Sequence, residues 1–200
     1  MRRGRTRDMI LCAMFVALIA VGAFIKIPVP VVPFTLQYLF TMLAGLLLGG
    51  KKGCIAVCVY IALGLCGLPI FASGGGIGYV LQPSFGYMIG FAVGAYVTGK
   101  MAHGKKGIGY GRLLAANFAG LAIVYFFGMV YYWLISEFYL GTPIGLWPLF
   151  LYCFILAVPG DIVLCLLGAM LGKRLIPVLR LSVFDEEPRA SLVKESGKEG

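Results

Sequence analysis

Apolar residues run through this chain in long stretches that are broken by basic clusters and by Gly and Pro. A helix needs roughly 17 to 25 residues to cross about 30 Å of hydrocarbon. Six stretches approach or reach that length: residues 8–27, 34–50, 53–68, 84–101, 110–136 and 146–172. The second and third are short, whereas the fifth and sixth are long enough to tilt or kink. The pattern predicts an all-α membrane protein with six transmembrane helices, the last one kinked at Pro159.

The positions of Lys and Arg test this division independently. Basic residues precede the first stretch, join the second to the third and the fourth to the fifth, and follow the sixth. They are Arg2, Arg3, Arg5, Arg7, Lys51, Lys52, Lys100, Lys105, Lys106, Arg112, Lys173, Arg174 and Arg180. Cytoplasmic loops carry such an excess, and six spans place all of these loops on one side. We therefore expect both termini to be cytoplasmic, with Lys26 and Glu137 outside.

Composition agrees with this class. The chain is 60% hydrophobic and 12% charged, which is more apolar surface than a soluble domain of this size can bury. The net charge of +9 follows from the topology and does not indicate nucleic-acid binding. Residues 1–180 are expected to form one transmembrane domain, and the polar residues 181–200 a disordered cytoplasmic tail.

Catalytic and metal-binding patterns are missing from the sequence. No Ser is accompanied by a His in a membrane segment, and paired carboxylates are absent. The Gly-rich residues 73–78 lack the Lys-Ser/Thr ending of a phosphate loop. His103, the only histidine, has no second metal ligand at metal spacing, so we expect it to be solvated. The sequence predicts no enzyme activity and no metal site, and any ATP hydrolysis must occur in another chain.

Asp161 is an acidic residue that lies deep inside an apolar stretch. A carboxylate at mid-bilayer depth costs roughly 2.5 to 3.5 kcal/mol and usually faces a polar cavity or a ligand. Asp161 is therefore a candidate for ligand binding. The alternative is an Asp that hydrogen-bonds a neighbouring helix, or that lies near a helix end after Pro159 and Gly160.

Two irregular apolar segments on the outer side, residues 27–33 and 67–71, contain prolines that exclude regular helix. Such backbone is tolerated at membrane depth only where it is buried in protein or lines a cavity. We expect both segments to cap one pocket. The polar candidates for that pocket are Gln37, Tyr79, Gln82, Ser84, Tyr87, Asn117 and Asp161, and the apolar candidates are Phe34, Phe71, Phe85 and Trp147.

Small residues four positions apart mark helix faces on which backbones can approach closely. Gly45 with Gly49, Gly86 with Gly90 and Gly94, Ala116 with Gly120, and Gly168 with Gly172 are expected to be mostly contacts inside the bundle. Ala13 and Ala17 lie on the first span. They form either an outward docking strip or a contact inside the bundle, and the spacing does not choose between these readings.

Several motifs resemble the biotin-specific substrate-binding component of energy-coupling factor (ECF) transporters. They cover about residues 8–172 and are Pro33-Phe34-Thr35-Leu36-Gln37, Leu43 to Gly49, Gly67 to Ala72, Gly86-Tyr87 before Gly90-Phe91, and Pro159-Gly160-Asp161. The resemblance implies six helices and an outward-facing vitamin pocket in the plasma membrane of a prokaryote. It also implies that Ala13 and Ala17 dock on a transmembrane coupling protein, with two ATPase subunits supplied separately.

The same resemblance implies how biotin, with no further cofactor, would bind. An ionised Asp161 would accept hydrogen bonds from the ureido N–H groups, while an amide such as Gln37 or Asn117 meets the ureido carbonyl. Lys26, Tyr79, Tyr87 and the glycine-loop N–H groups are the candidates for the ligand carboxylate.

Two positions depart from the family pattern. Leu164 stands where a Lys often follows the Asp by one turn, and Phe85 stands where a Gly is usual. Two alternatives stay open, namely a transporter for another small vitamin-like substrate, and a membrane scaffold in which Asp161 only bonds another helix.

Overall fold

The computed structural model describes residues 2–27, 34–103, 109–141, 145–155 and 157–184, without the side chains of residues 2–5, 27, 34, 146, 149, 152, 153 and 180–184. Their α-helices are α1 (Arg2–Phe24), α2 (Gln37–Leu48), α3 (Gly50–Leu65), α4 (Phe85–Ala102), α5 (Tyr110–Phe138), α6 (Leu146–Phe150) and α7 (Val158–Phe184). A 3₁₀ helix covers Ile77–Leu81 and a π-helical turn covers Leu151–Ile155. Strands β1 (Lys26–Ile27) and β2 (Phe34–Thr35) pair antiparallel.

Helices that can cross a membrane are present, as the hydrophobic pattern predicts. In the described part of the chain, three helical segments are long and apolar enough to do so: Thr6–Phe24, Tyr110–Phe138 and Val158–Leu179. Apolar helices of 12, 16 and 18 residues form α2, α3 and α4. The prediction of a helical membrane protein is confirmed at this level.

The sixth predicted span is wrong as a single helix kinked at Pro159. Residues 146–172 are divided among α6, the π-helical turn and the first part of α7, so the break precedes Pro159. Pro159 is the second residue of α7, where a missing N–H costs little because first-turn N–H groups have no partner inside the helix. Asp161 consequently lies in the first turn of α7 and not in the middle of a helix.

Glycines bring the helices of the bundle into backbone contact. A Cβ added at Gly45 of α2 would lie 2.4 Å from the carbonyl oxygen of Ala95 in α4. One added at Gly90 of α4 would lie 2.8 Å from the Cα of Val124 in α5. At Gly168 of α7 it would lie 2.1 Å from the side chain of Met42. These glycines confirm the prediction that small residues at helical spacing pack inside the bundle.

Buried polar side chains join the helices by donating to backbone carbonyl groups. The Tyr38 hydroxyl of α2 donates to the carbonyl of Asn117 in α5 at 2.9 Å. Thr98 of α4 donates to the carbonyl of Ala116 at 3.1 Å. The Asn117 amide donates in turn to the carbonyl of Cys165 in α7 at 2.9 Å. Four helices are therefore linked by polar contacts in an interior where unpaired polar groups are costly.

The segment that follows α3 is anchored on two sides. The ammonium group of Lys26 on β1 donates to the carbonyl of Ala72 at 2.9 Å. The Tyr60 hydroxyl of α3 donates to the carbonyl of Ile70 at 2.8 Å. Ala72 directly follows the predicted capping segment 67–71, and Lys26 directly precedes the other one, residues 27–33. The hydrogen bond from Lys26 to Ala72 therefore ties the end of one segment to the start of the other. Residues 28–33 of that other segment lie outside the described residues.

Candidate functional site

Asp161 accepts a hydrogen bond through its Oδ2 atom from the hydroxyl of Tyr125 on α5. Both side chains are buried, with 8% of Asp161 and 4% of Tyr125 exposed. Across the described ranges the one ion pair joins Lys52 to Asp8, so a neutral hydroxyl and not a cation faces Asp161. The bond engages Oδ2, and Oδ1 can accept a hydrogen bond from a ligand.

Aromatic neighbours fix the ring of Tyr125. Phe154 contacts it edge-on with ring centroids 5.0 Å apart, and Tyr87 of α4 does so at 6.4 Å. The Tyr87 ring packs over Gly128, where an added Cβ would lie 2.4 Å from a ring carbon. The predicted site residue Tyr87 is therefore brought into the group around Asp161, one ring away from the carboxylate.

A second group forms around Phe71, which is fully buried. Its ring lies 4.5 Å from that of Tyr79 and 5.4 Å from that of Tyr60. The Ser84 hydroxyl donates to the Tyr79 hydroxyl at 3.4 Å. Phe71 reaches this place because Gly64 of α3 has no side chain, and a Cβ there would lie 2.1 Å from the ring. The predicted residues Phe71 and Ser84 thus both contact Tyr79, the third predicted residue of this group.

Gln37, the first residue of α2, is buried with 3% exposure. Its side chain interacts with Tyr60, and its Nε2 atom makes no hydrogen bond of normal geometry. A buried amide donor of this kind is ordinarily satisfied by protein, water or ligand. Gln37 thereby supplies an N–H donor at the edge of the Phe71 group.

Asn117 lies apart from these groups. It precedes Tyr125 by two turns of α5, a distance of about 12 Å along the helix at 1.5 Å per residue. The side chain is fully buried and donates to the Cys165 carbonyl, while its Oδ1 has no protein partner. Asn117 holds α5 against α7 below Asp161 and does not contact the Tyr125–Asp161 pair.

Three further candidates are peripheral. Gln82 is half-buried, and its backbone N–H donates to the carbonyl of Tyr79. Phe85 packs on Tyr131 with ring centroids 5.8 Å apart. Trp147 is 69% exposed, so its predicted place in an apolar wall is wrong. The side chain of Phe34 lies outside the described part of the structure.

The sequence pattern does not single out Tyr125, Tyr60 and Tyr38. Tyr38 places its hydroxyl 3.8 Å from the Cys165 sulfur, one turn after Asp161. The sequence does hold one signal for such residues, because a Tyr hydroxyl at membrane depth needs an acceptor.

Ala13 and Ala17 of α1 are both exposed, and the surrounding surface is apolar. Met9, Met14, Val21 and Phe24 on this side are 66%, 46%, 52% and 60% exposed. The opposite face of α1 carries the buried residues Phe15, Ile19 and Ala23, and packs on α2 and α3. The reading in which Ala13 and Ala17 contact the interior of the bundle is therefore wrong. We call this surface the α1 face.

His103 is not solvated as expected. It is half-buried, and its Nε2 atom lies 2.7 Å from the carbonyl oxygen of Leu46. Leu46 is in the last turn of α2, where carbonyl groups lack partners inside the helix. His103 thus ties the end of α4 to the end of α2, a structural contact away from Asp161.

Comparisons with known proteins match the chain over nearly its whole length. The family model described as "BioY family" matches residues 1–181. A probable biotin transporter BioY from Lysinibacillus sphaericus is 44% identical over 180 residues, covering 90% of this chain and 92% of that protein. The biotin transporter BioY of Thermotoga maritima is 44% identical over 124 residues, covering 62% of this chain and 72% of that protein.

A solved structure also resembles the fold. The S-component for biotin from an ECF-type ABC transporter superposes with a TM-score of 0.71 at 28% identity, covering 88% of this chain and 93% of that chain.

Proposed function

The chain belongs to the BioY family, and we propose that it is the membrane-embedded biotin-binding component of an ECF-type uptake transporter. Support comes from the family match over residues 1–181 and from the superposition on an S-component for biotin. The chemistry of the buried groups around Asp161 agrees with a ligand whose uncharged ring offers two N–H donors.

The observation that carries this proposal is the buried Asp161 carboxylate, which faces one neutral donor. The ureido ring of biotin offers two N–H donors and one carbonyl acceptor. An N–H of this ring donating to Oδ1 compensates the buried charge, and charge-assisted bonds of this kind are the strong ones. The Gln37 amide, which lacks a hydrogen bond of normal geometry, is the candidate donor to the ureido carbonyl.

The remaining site residues divide by chemistry. Tyr79 and Tyr87 offer aromatic surface to the tetrahydrothiophene ring and the aliphatic chain, and the fully buried Phe71 supports the Tyr79 ring. Phe34 is assigned the same wall on its sequence position alone. Ser84 and Gln82 belong to the polar edge. We assign Asn117 an indirect role, because it binds the Cys165 carbonyl one turn after Asp161.

The topology and the partners extend the proposal. Six spans with both termini in the cytoplasm place all basic loops inside, in the plasma membrane of a prokaryote. Residues 1–180 form the substrate-binding domain, and α7 continues past this boundary to Phe184 before the cytoplasmic tail. The α1 face meets lipid when the protein is alone. It meets a transmembrane coupling protein in the assembled transporter, where two ATPase subunits supply the energy.

Isothermal titration calorimetry of the purified, detergent-solubilised protein tests this function. We expect saturable binding of biotin and weaker binding of dethiobiotin. Unrelated vitamins, used at the same concentration, should give no heat. Tight binding of one of those vitamins would indicate a transporter component of the same class with a substrate other than biotin. Absence of any binding by a monodisperse protein would favour the alternative function, a membrane scaffold in which Asp161 only bonds another helix.

A further inference from the structure

The hydrogen bond between Tyr125 and Asp161 raises the question of which ligand charges the site accepts. Tyr125 is neutral, and its hydroxyl is the partner that the structure gives to the carboxylate. The nearest turn of α7 adds no charge, because Leu164 is apolar and 5% exposed. The described basic side chains are bound elsewhere or lie at the surface: Lys26 at Ala72 and Lys52 at Asp8.

We propose that Tyr125 positions the Asp161 carboxylate in place of a cation, and that the site therefore accepts a cyclic guanidinium as well as a cyclic urea. This inference rests on the proposed function and extends it to the class of ring that the site takes. The ligand chemistry concerned is a five-membered ring with two N–H donors, whose third position is either a carbonyl oxygen or a protonated imine.

The positioning role follows from rigidity. The Tyr125 ring contacts the rings of Phe154 and Tyr87 at centroid distances of 5.0 and 6.4 Å. Its hydroxyl therefore reaches Asp161 from a fixed direction across the α5–α7 contact. A carboxylate held through Oδ2 presents Oδ1 in one orientation. Pre-organisation of this kind lowers the entropic cost of binding.

The charge argument follows from burial. A buried carboxylate without a cationic partner is compensated only in part by a hydroxyl donor. A guanidinium ring supplies both N–H donors and a full positive charge at that carboxylate. A cation resident in the protein beside Asp161 would repel such a ligand, because like charges at short range repel strongly in an interior of low dielectric constant.

One feature opposes the guanidinium. The exocyclic group of the ring changes from an acceptor to a donor, so the proposed bond from the Gln37 amide to the ureido carbonyl is lost. Gln37 can offer its own amide oxygen after rotation of the side chain, because an amide carries both a donor and an acceptor. The two rings should consequently bind with similar affinity.

The test compares biotin with 2-iminobiotin, its cyclic guanidinium analogue, by calorimetry at neutral pH, where that ring is protonated. We expect the wild-type protein to bind 2-iminobiotin within about tenfold of biotin. Leu164→Lys should weaken 2-iminobiotin relative to biotin by more than about tenfold, because a cation would then neighbour Asp161. Leu164→Met is the matched control for the changed side-chain volume.

Tyr125→Phe tests the positioning role. The variant should bind biotin more weakly and should shift the affinity ratio toward 2-iminobiotin, because the carboxylate loses its only described donor. A purely structural defect would weaken both ligands alike and leave the ratio unchanged. Tyr139→Phe, at an exposed hydroxyl at the end of α5, should change neither affinity nor ratio.

The outcomes separate this inference from the proposed function. Biotin binding with a loss of more than tenfold for 2-iminobiotin would overturn the charge argument and leave the function standing. An unchanged affinity ratio in Tyr125→Phe would overturn the role of Tyr125. Binding of neither ligand by the folded wild-type protein would remove the proposed function itself. Because the wild-type comparison needs no variant, it decides even if Leu164→Lys fails to fold.

Discussion

Asp161→Asn isolates the charge of the proposed ligand-binding carboxylate. Asn has the same size and keeps a carbonyl oxygen that the Tyr125 hydroxyl can bond, so the α5–α7 contact should persist. The negative charge is lost. Hydrogen bonds to charged groups contribute roughly 1.5 to 3 kcal/mol, and each 1.4 kcal/mol corresponds to about tenfold in affinity. We therefore expect the biotin affinity to fall about 10- to 150-fold.

The measurement is calorimetric titration of biotin into the purified variant, after size-exclusion chromatography has shown a monodisperse protein. Asp8→Asn is the matched control, because it makes the same isosteric change at a carboxylate that pairs with Lys52 at 2.6 Å on the surface. Its biotin affinity should stay within about twofold of wild type, since surface ion pairs contribute about 0 to 1 kcal/mol and lie outside the site.

Equal biotin affinity in Asp161→Asn and wild type would refute this reasoning. Asp161 would then be an interhelical hydrogen-bonding group for Tyr125 and nothing more. Weakened binding accompanied by a large loss of thermal stability would likewise count against a specific charge effect, because the hydrogen bond between the helices should survive the substitution.

Three further predictions concern docking, packing and topology. Ala17→Trp should abolish biotin uptake by cells while leaving biotin binding by the isolated protein intact. The control Ala122→Trp, on the exposed side of α5, should preserve both uptake and binding. Loss of biotin binding in Ala17→Trp would contradict the docking role. Gly45→Ala should lower the free energy of unfolding by about 1 to 3 kcal/mol through overpacking against α4, measured by thermal or denaturant unfolding in detergent. The control Gly111→Ala, with nothing within 4 Å of an added Cβ, should be neutral or stabilising. Equal stability of Gly45→Ala and wild type would contradict close packing at Gly45. A cysteine introduced at residue 105 should be labelled only from the cytoplasmic side, and labelling from outside would exclude the six-span topology.

The hydrophobic pattern predicted the positions of α4 and α5 closely because charged or glycine-rich residues flank both stretches. It failed at residues 146–172, where apolar residues continue through α6, the π-helical turn and the start of α7. Hydropathy cannot reveal a break inside a uniformly apolar stretch. Pro159 was the available signal, and it marks the first turn of a new helix more often than a kink.

The candidate site was predictable in part. Asp161 could be singled out because a carboxylate in an apolar stretch is rare. Its partner could not, because Tyr125 is one of 11 tyrosines and lies 36 positions away. Which hydroxyl reaches Asp161 depends on the register between α5 and α7, where a second contact is the hydrogen bond from the Asn117 amide to the Cys165 carbonyl.

The linking of helices through backbone carbonyl acceptors has a consequence for how this sequence can diverge. In the bonds from Tyr38, Thr98 and Tyr131, the donor is a side chain and the acceptor is a main-chain oxygen. Mutation can remove the donor, but any residue at the acceptor position retains the oxygen. Homologous sequences should therefore keep these hydroxyl-bearing residues. The facing positions, such as Ala116 and Val80, should vary in residue type as long as the side-chain volume fits. Substitution tolerance across each helix contact is thus expected to be one-sided.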